Sequence, residues 1–175
     1  GEDPRAYRKT MEEISFWTLL FDNYDSLKKI TSAEDLVEAI ESERKGVLLE
    51  CQDTTFLEHD LDNLEIFYDM GIRTVQLTYN MSNAYGTGCT ERFDGGLSYL
   101  GIDLVNKMNE LGMLVDASHC GYQTTLDIIE NSQDPPVFTH ACCRGVHDHD
   151  RAKTDEEMLK LAERGGYMGL AIVPP

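Results

Sequence analysis

The sequence predicts an α/β fold built on a parallel sheet, and three observations carry that prediction. Short apolar runs rich in β-branched residues recur along the chain: Gly46–Cys51, Arg73–Tyr79, Met113–Ala117, Pro136–His140 and Tyr167–Val173. Stretches with apolar residues at helical spacing separate them, with Leu61, Leu64, Phe67 and Tyr68 after the second run's predecessor and Leu104, Met108 and Leu111 before the third. Glycines stand where those helices should stop, at Gly71, Gly112 and Gly165. Strands alternating with helices pair in parallel, because each crossover returns the chain to the same end of the sheet.

The elements follow in order. Asp3-Pro4 reads as an N-cap followed by proline in the first turn of a helix that carries Tyr7, Met11, Ile14 and Phe21. A second helix follows Ser32, with Leu36, Val37 and Ile40 on one face. The first strand is Gly46–Cys51, and a helix from about Asp60 leads to the second, Arg73–Tyr79. Asn80 to Gly96 is polar and glycine-rich and reads as one long loop, a length that compact domains reserve for function. Ser98 caps the next helix. A helix over Tyr122–Glu130 joins the third strand to the fourth. Thr154-Asp155-Glu156-Glu157 has the form of a capping box, and the helix it opens leads to the last strand.

Composition narrows function. The 175 residues suit one domain spanning 1–175, with 41% hydrophobic and 27% charged residues. Thirty-two acidic side chains against fifteen basic ones give a net charge of −17, which repels phosphate backbones and anionic bilayers, so neither nucleic acid nor membrane is expected as a partner. No apolar run reaches the ~18 residues of a spanning helix, and the opening Gly1-Glu2-Asp3-Pro4 has no signal-peptide pattern. Five cysteines, an odd count with no CxxC pair, read as reduced thiols in a cytoplasmic location. Neither a GxGxxG nor a GxxxxGK[ST] motif occurs, which sets nucleotide binding aside.

Parallel α/β proteins build their sites where the carboxyl ends of strands meet the loops. Those ends here carry Glu50 to Gln52, Tyr79-Asn80, Ser118-His119 and His140. His119 and His140 end successive strands, one β-α-β step apart, and imidazoles at neighbouring strand ends can converge on one metal ion. Asp116, inside its strand, reads as a structural carboxylate, and His147 and His149 as residues of a polar loop.

The wording of these segments resembles one family. Asn109 to His119 (NELGMLVDASH) resembles the "MNxLGMLVDLSH" signature of the membrane (renal) dipeptidases. Pro136–Ala141 resembles their "PVIFSHS" strand, His149-Asp150-Arg151 their "HPRN", and Gly165 to Pro174 their "GGVxMVNFxP". The run Leu77-Thr78-Tyr79-Asn80 with Gly86–Glu91 resembles a bacterial branch of that family. The resemblance implies a parallel (β/α) barrel of TIM type, incomplete here, with about five of eight strands, since complete barrels run to ~250 residues. It implies zinc, two ions in the parent family, and hydrolysis of a dipeptide or small dipeptide-like amide. His119 and His140 would ligate metal and Arg151 would hold the substrate carboxylate.

Three departures temper this. The family's bridging glutamate aligns with Gln52, with Glu50 as the other candidate on that strand, and Tyr79 stands where animal members carry a substrate-contacting histidine. The family's His-x-Asp pair has no counterpart before Gly46. With so few anionic ligands, one ion at most is expected in this chain, on His119, His140 and Gln52, with Tyr79 and Arg151 toward substrate. The alternative is a catalytically inactive barrel segment that binds or assembles, with a homo-oligomer as the expected form of assembly. No residue is assigned as the catalytic acid or base.

Overall fold

A computed structural model describes residues 4–171. The expected Asp3 cap and the Val173 end of the last strand lie outside the described residues. The chain divides into two compact units, residues 1–51 with 55–74 and residues 52–54 with 75–175.

The first unit holds α1 (Ala6–Asn23), β1 (Leu27–Ile30), α2 (Ala33–Glu41), β2 (Lys45–Cys51), a 3-10 turn at Thr55–Leu57 and α3 (Asp62–Asp69). β3 (Ile72–Gln76) starts in this unit and runs on into the second. β1 pairs with β2 in parallel, Leu27 opposite Lys45 through Ile30 opposite Leu48. The five expected strands did not include β1, which pairs along this edge of β2. Its sequence, Leu-Lys-Lys-Ile, hides a strand because two lysines interrupt the apolar pattern. In the fold Lys28 Nζ reaches Asp35 and Glu38 at 3.1 and 2.7 Å, and Lys29 Nζ donates to the Met70 carbonyl. Lysines of this kind also guard an edge strand against unwanted pairing. The core of the unit is apolar, with Ile14, Ile30, Leu57, Leu64 and Ile72 buried and the Phe67 ring set edge-on to Phe56 and Tyr7. Gly71, at φ 105°, ends α3 in a conformation that L side chains rarely adopt.

Ser32 caps α2 with a complete capping box: its hydroxyl accepts from Asp35 N, and Asp35 Oδ2 accepts from Ser32 N and from both Thr31 donors. These bonds, led by the Thr31 hydroxyl and joined by Lys28, hold the Asp35 carboxyl well below the usual carboxylate range. Because the folded value is depressed, the stability it contributes is present above the unfolded carboxylate value and is lost as pH falls below about 4. Ser32→Ala should cost about 1 kcal/mol. Urea melts of the two proteins at pH 7 and pH 3 should show Asp35→Asn matching wild type more closely at the lower pH. An equal gap at both would remove Asp35 from the acid response.

The second unit carries the end of β3, α4 (Tyr99–Glu110), β4 (Leu114–Asp116), α5 (Tyr122–Asn131), β5 (Val137–Cys143), β6 (Ala152–Lys153), α6 (Asp155–Glu163) and β7 (Tyr167–Leu170). The strand order is β3-β4-β5-β6, with β7 on β5, and β5 pairs in parallel with β4, β6 and β7. Val75, Leu104, Met108, Val115, Ile128 and Phe138 fill its core. The expected caps are in place: Ser98 Oγ accepts from Gly101 N, and Thr154 and Glu157 form the second capping box. β5 runs past His140 to Cys143, because the two-residue strand β6 pairs there, Cys142 opposite Ala152 and Cys143 opposite Lys153. β6 is too short to leave a periodic signal, yet it is what brings Arg151 back beside the end of β5.

Candidate metal centre

His119 follows β4 and His140 lies within β5, on neighbouring parallel strands. Their Nε2 atoms are 3.1 Å apart. Two metal–nitrogen bonds of ~2.1 Å meeting at a tetrahedral angle separate their nitrogens by about 3.4 Å, so the donor pair fits a single divalent ion. The Gln52 amide nitrogen lies 3.4 Å from His140 Nε2. The Tyr79 ring, 45% exposed, stacks on His119 with centroids 4.2 Å apart. Arg151 donates from one terminal nitrogen to the Ser118 carbonyl and from the other to the His140 carbonyl at 3.0 Å. The structure thus gathers all five expected site residues, Gln52, Tyr79, His119, His140 and Arg151, around one cavity of about 400 Å³, which His149 also lines.

Burial sets the electrostatics. His119 is only 7% exposed, and desolvation, with the Arg151 and His140 charges behind it, pushes it down to about 3. His140 is lowered too, by burial first and Arg151 second. Neutral imidazoles are what a cation needs as ligands.

Several residues around this pair have roles that their types did not announce. Asp116 is fully buried. Its Oδ1 accepts from Ser118 N, Ser118 Oγ and Thr139 N at 2.9, 2.6 and 3.1 Å, and its Oδ2 from Thr139 Oγ1 at 2.7 Å. The structural role expected of it is therefore to tie the end of β4 to β5. Asn80, read as the first loop residue, puts Oδ1 2.7 Å from His119 Nδ1. Thr139 Oγ1 lies 2.7 Å from His140 Nδ1. His149, expected in a polar loop, accepts the Arg151 N–H on Nδ1. The only advance signal for Asn80 was its place at a strand end.

The long loop works as a clamp on the His119 turn. Cys89 N donates to the His119 carbonyl and Gly121 N to the Thr87 carbonyl, each at 2.9 Å, around the isolated antiparallel bridge of Gly88 with Cys120. Gly88 is required there, since a Cβ would lie 2.3 Å from the Asn80 carbonyl oxygen. Asp94 caps α5 from outside that helix, accepting from Gln123 N and Thr124 Oγ1. The five cysteines are free thiols. Burial raises Cys89, and Cys120 to about 11.

Paired imidazoles at adjacent strand ends with a guanidinium beside them define, on a parallel α/β scaffold, a donor set that suits a divalent cation. Over residues 1–175 the chain matches the membrane dipeptidase family, peptidase family M19, and it belongs to that family. Among solved structures, an amidohydrolase from Pseudomonas aeruginosa superposes with a TM-score of 0.89 at 34% identity, over 93% of this chain and 50% of that one. Dipeptidase verJ of Clonostachys rogersoniana is 29% identical over 96% of this chain and 44% of its own length. An uncharacterized dipeptidase of Schizosaccharomyces pombe is 30% identical over 92% of this chain and 40% of its own. The chain spans half or less of the length of these relatives. The fold class is accordingly the incomplete (β/α) barrel that the sequence implied, and the family is one of metallopeptidases.

Proposed function

We propose that the protein to which this chain belongs is a zinc-dependent dipeptidase that hydrolyses the peptide bond of a dipeptide or a related small amide. The observation that carries this reading is the 3.1 Å approach of His119 and His140 Nε2 in the cavity that Arg151 lines. Membership of the dipeptidase family supports the choice of substrate, and the histidine donor set suits zinc. His119 and His140 would hold the ion, with Gln52 beside them. When bound, the ion supplies a Lewis acid for the amide carbonyl and a nucleophile from water near neutral pH.

The chain's own residues do the rest. Arg151 spends two of its five N–H donors on backbone carbonyls, so three are left for a carboxylate. That pairing fixes one end of the substrate and sets the scissile amide at a fixed distance from the histidines. Tyr79 covers the outer face of His119 and limits water access to it. Five free thiols support a cytoplasmic location, and the Pseudomonas aeruginosa match supports a bacterial branch.

Purified full-length protein should carry zinc by elemental analysis and cleave simple dipeptides. Chelation should remove both properties, and zinc should restore both. Dipeptide hydrolysis that survives complete removal of metal would overturn the reading. Gln52→Glu places a carboxylate where a neutral amide now stands beside His140, so zinc occupancy at limiting metal should rise. Unchanged occupancy would assign the acidic position on that strand to Glu50 instead.

A further inference from the structure

A neutral imidazole carries one proton on one of two nitrogens, and only the bare nitrogen can take a cation. The Nδ1 partners of His119 and His140 each call for a proton on Nδ1, which leaves the two Nε2 atoms, 3.1 Å apart, bare and turned toward each other. Asn80 Oδ1, 2.7 Å from His119 Nδ1, is an amide oxygen and can only accept, so His119 Nδ1 carries the proton. The Cys89 thiol points at the same oxygen from 3.7 Å. Asn80 is itself held: its carbonyl accepts from Thr90 N and Thr90 Oγ1 at 3.0 and 2.7 Å.

At His140 the logic runs through a hydroxyl. Thr139 Oγ1 has one proton and gives it to Asp116 Oδ2 at 2.7 Å. The other oxygen of Asp116 receives Ser118 N, Ser118 Oγ and Thr139 N, a setting that suits the carboxylate, which accepts only. Toward His140 Nδ1, 2.7 Å away, Thr139 can therefore only accept. Ser118, with its proton committed to Asp116, takes the His140 backbone N–H at 3.1 Å and holds the residue in place. The Gln52 amide nitrogen, a donor, faces His140 Nε2, as a bare nitrogen requires.

We propose that Asn80, and Thr139 backed by Asp116, are positioning residues that fix His119 and His140 in the Nδ1-protonated tautomer and so turn two bare Nε2 atoms toward one cation. Two unlike devices, a loop amide and a buried hydroxyl–carboxylate relay, reach the same end. Outer partners of this kind set ring orientation and ligand basicity, and their loss typically costs about 10- to 100-fold in metal affinity. The consequence for metal rests on the metallopeptidase reading above; the tautomers themselves do not.

The test is nitrogen NMR of the histidine rings in the metal-free, full-length protein, with zinc affinity measured in parallel by calorimetry. In wild type both rings should show a protonated Nδ1 and a bare Nε2. Asn80→Leu should turn His119 into a tautomer mixture, leave His140 unchanged, and weaken zinc binding about 10- to 100-fold. Thr139→Val should do the same to His140 alone, and Thr139→Ser should restore it. A bare Nδ1 on either ring in wild type would overturn the proposal, a result that needs no variant to fold. So would variants that lose zinc affinity with both tautomers unmoved. Wild-type protein with the expected tautomers but no zinc binding would sustain this inference and sink the metal reading instead.

Discussion

Replacing His119 and His140 together by alanine is expected to strip the protein of its metal at this site while leaving it folded. The two Nε2 atoms are 3.1 Å apart, and the neutral Gln52 amide beside them is a poor substitute for an imidazole. Zinc sites of the hydrolytic type rest on three protein ligands, and removing two of them should lower affinity for the ion steeply. The structural cost is small by comparison. The rings hydrogen-bond through Nδ1 to Asn80 and Thr139, and each such bond contributes about 1 kcal/mol. His119 also gives up its stacking on Tyr79. Thermal melts should therefore shift by several degrees, with circular dichroism at 25 °C unchanged, while elemental analysis finds the ion gone. Retention of metal at the wild-type ratio would show that it sits elsewhere. Single variants should fall between, since one imidazole still leaves a weak site.

Much of this arrangement was legible in the sequence, for physical reasons that differ from element to element. The two histidines could be placed because a strand end is marked twice, by an apolar run before it and a polar turn after it, as at Val115-Asp116-Ala117-Ser118-His119. The capping box at Thr154 was legible because a cap is a local contract between residues three apart; at Ser32 the helix start was legible but not the box that Asp35 completes. β1 was not, because its two lysines look solvated until Asp35, Glu38 and the Met70 carbonyl are there to receive them. β6 was not, because two residues carry no period. The second strand was drawn too long, to Tyr79, where the regular strand ends at Gln76; β-branched content persists after the ladder stops. Asn80 was hidden most deeply. Its partner lies 39 residues away, and nothing in an isolated asparagine says that its oxygen will meet an imidazole.

Arg151→Met should raise KM for free dipeptides steeply, and the reason lies in how the guanidinium is held. One terminal nitrogen donates to the Ser118 carbonyl and the other to the His140 carbonyl, so the side chain is locked to the ends of both histidine-bearing segments before any substrate arrives. Its backbone N–H is taken by His149 Nδ1, and β6 follows at once, which fixes the root of the side chain as firmly as its head. A preorganised, half-buried cation facing a carboxylate is worth about 2–5 kcal/mol when one partner is truncated, or roughly 30- to 5,000-fold in binding. Lysine offers one point charge with three donors and cannot reach both carbonyls and a carboxylate at once, so Arg151→Lys should recover little. A general loss of order could also raise KM, and the substrate series separates the two explanations. Wild type should prefer a dipeptide over its C-terminal amide by a large factor, and Arg151→Met should lose that preference while its activity on the amide changes far less. If the variant keeps the wild-type preference for a free carboxylate, the guanidinium serves only to tie Ser118 to His140, and the substrate's anionic end is read by another group.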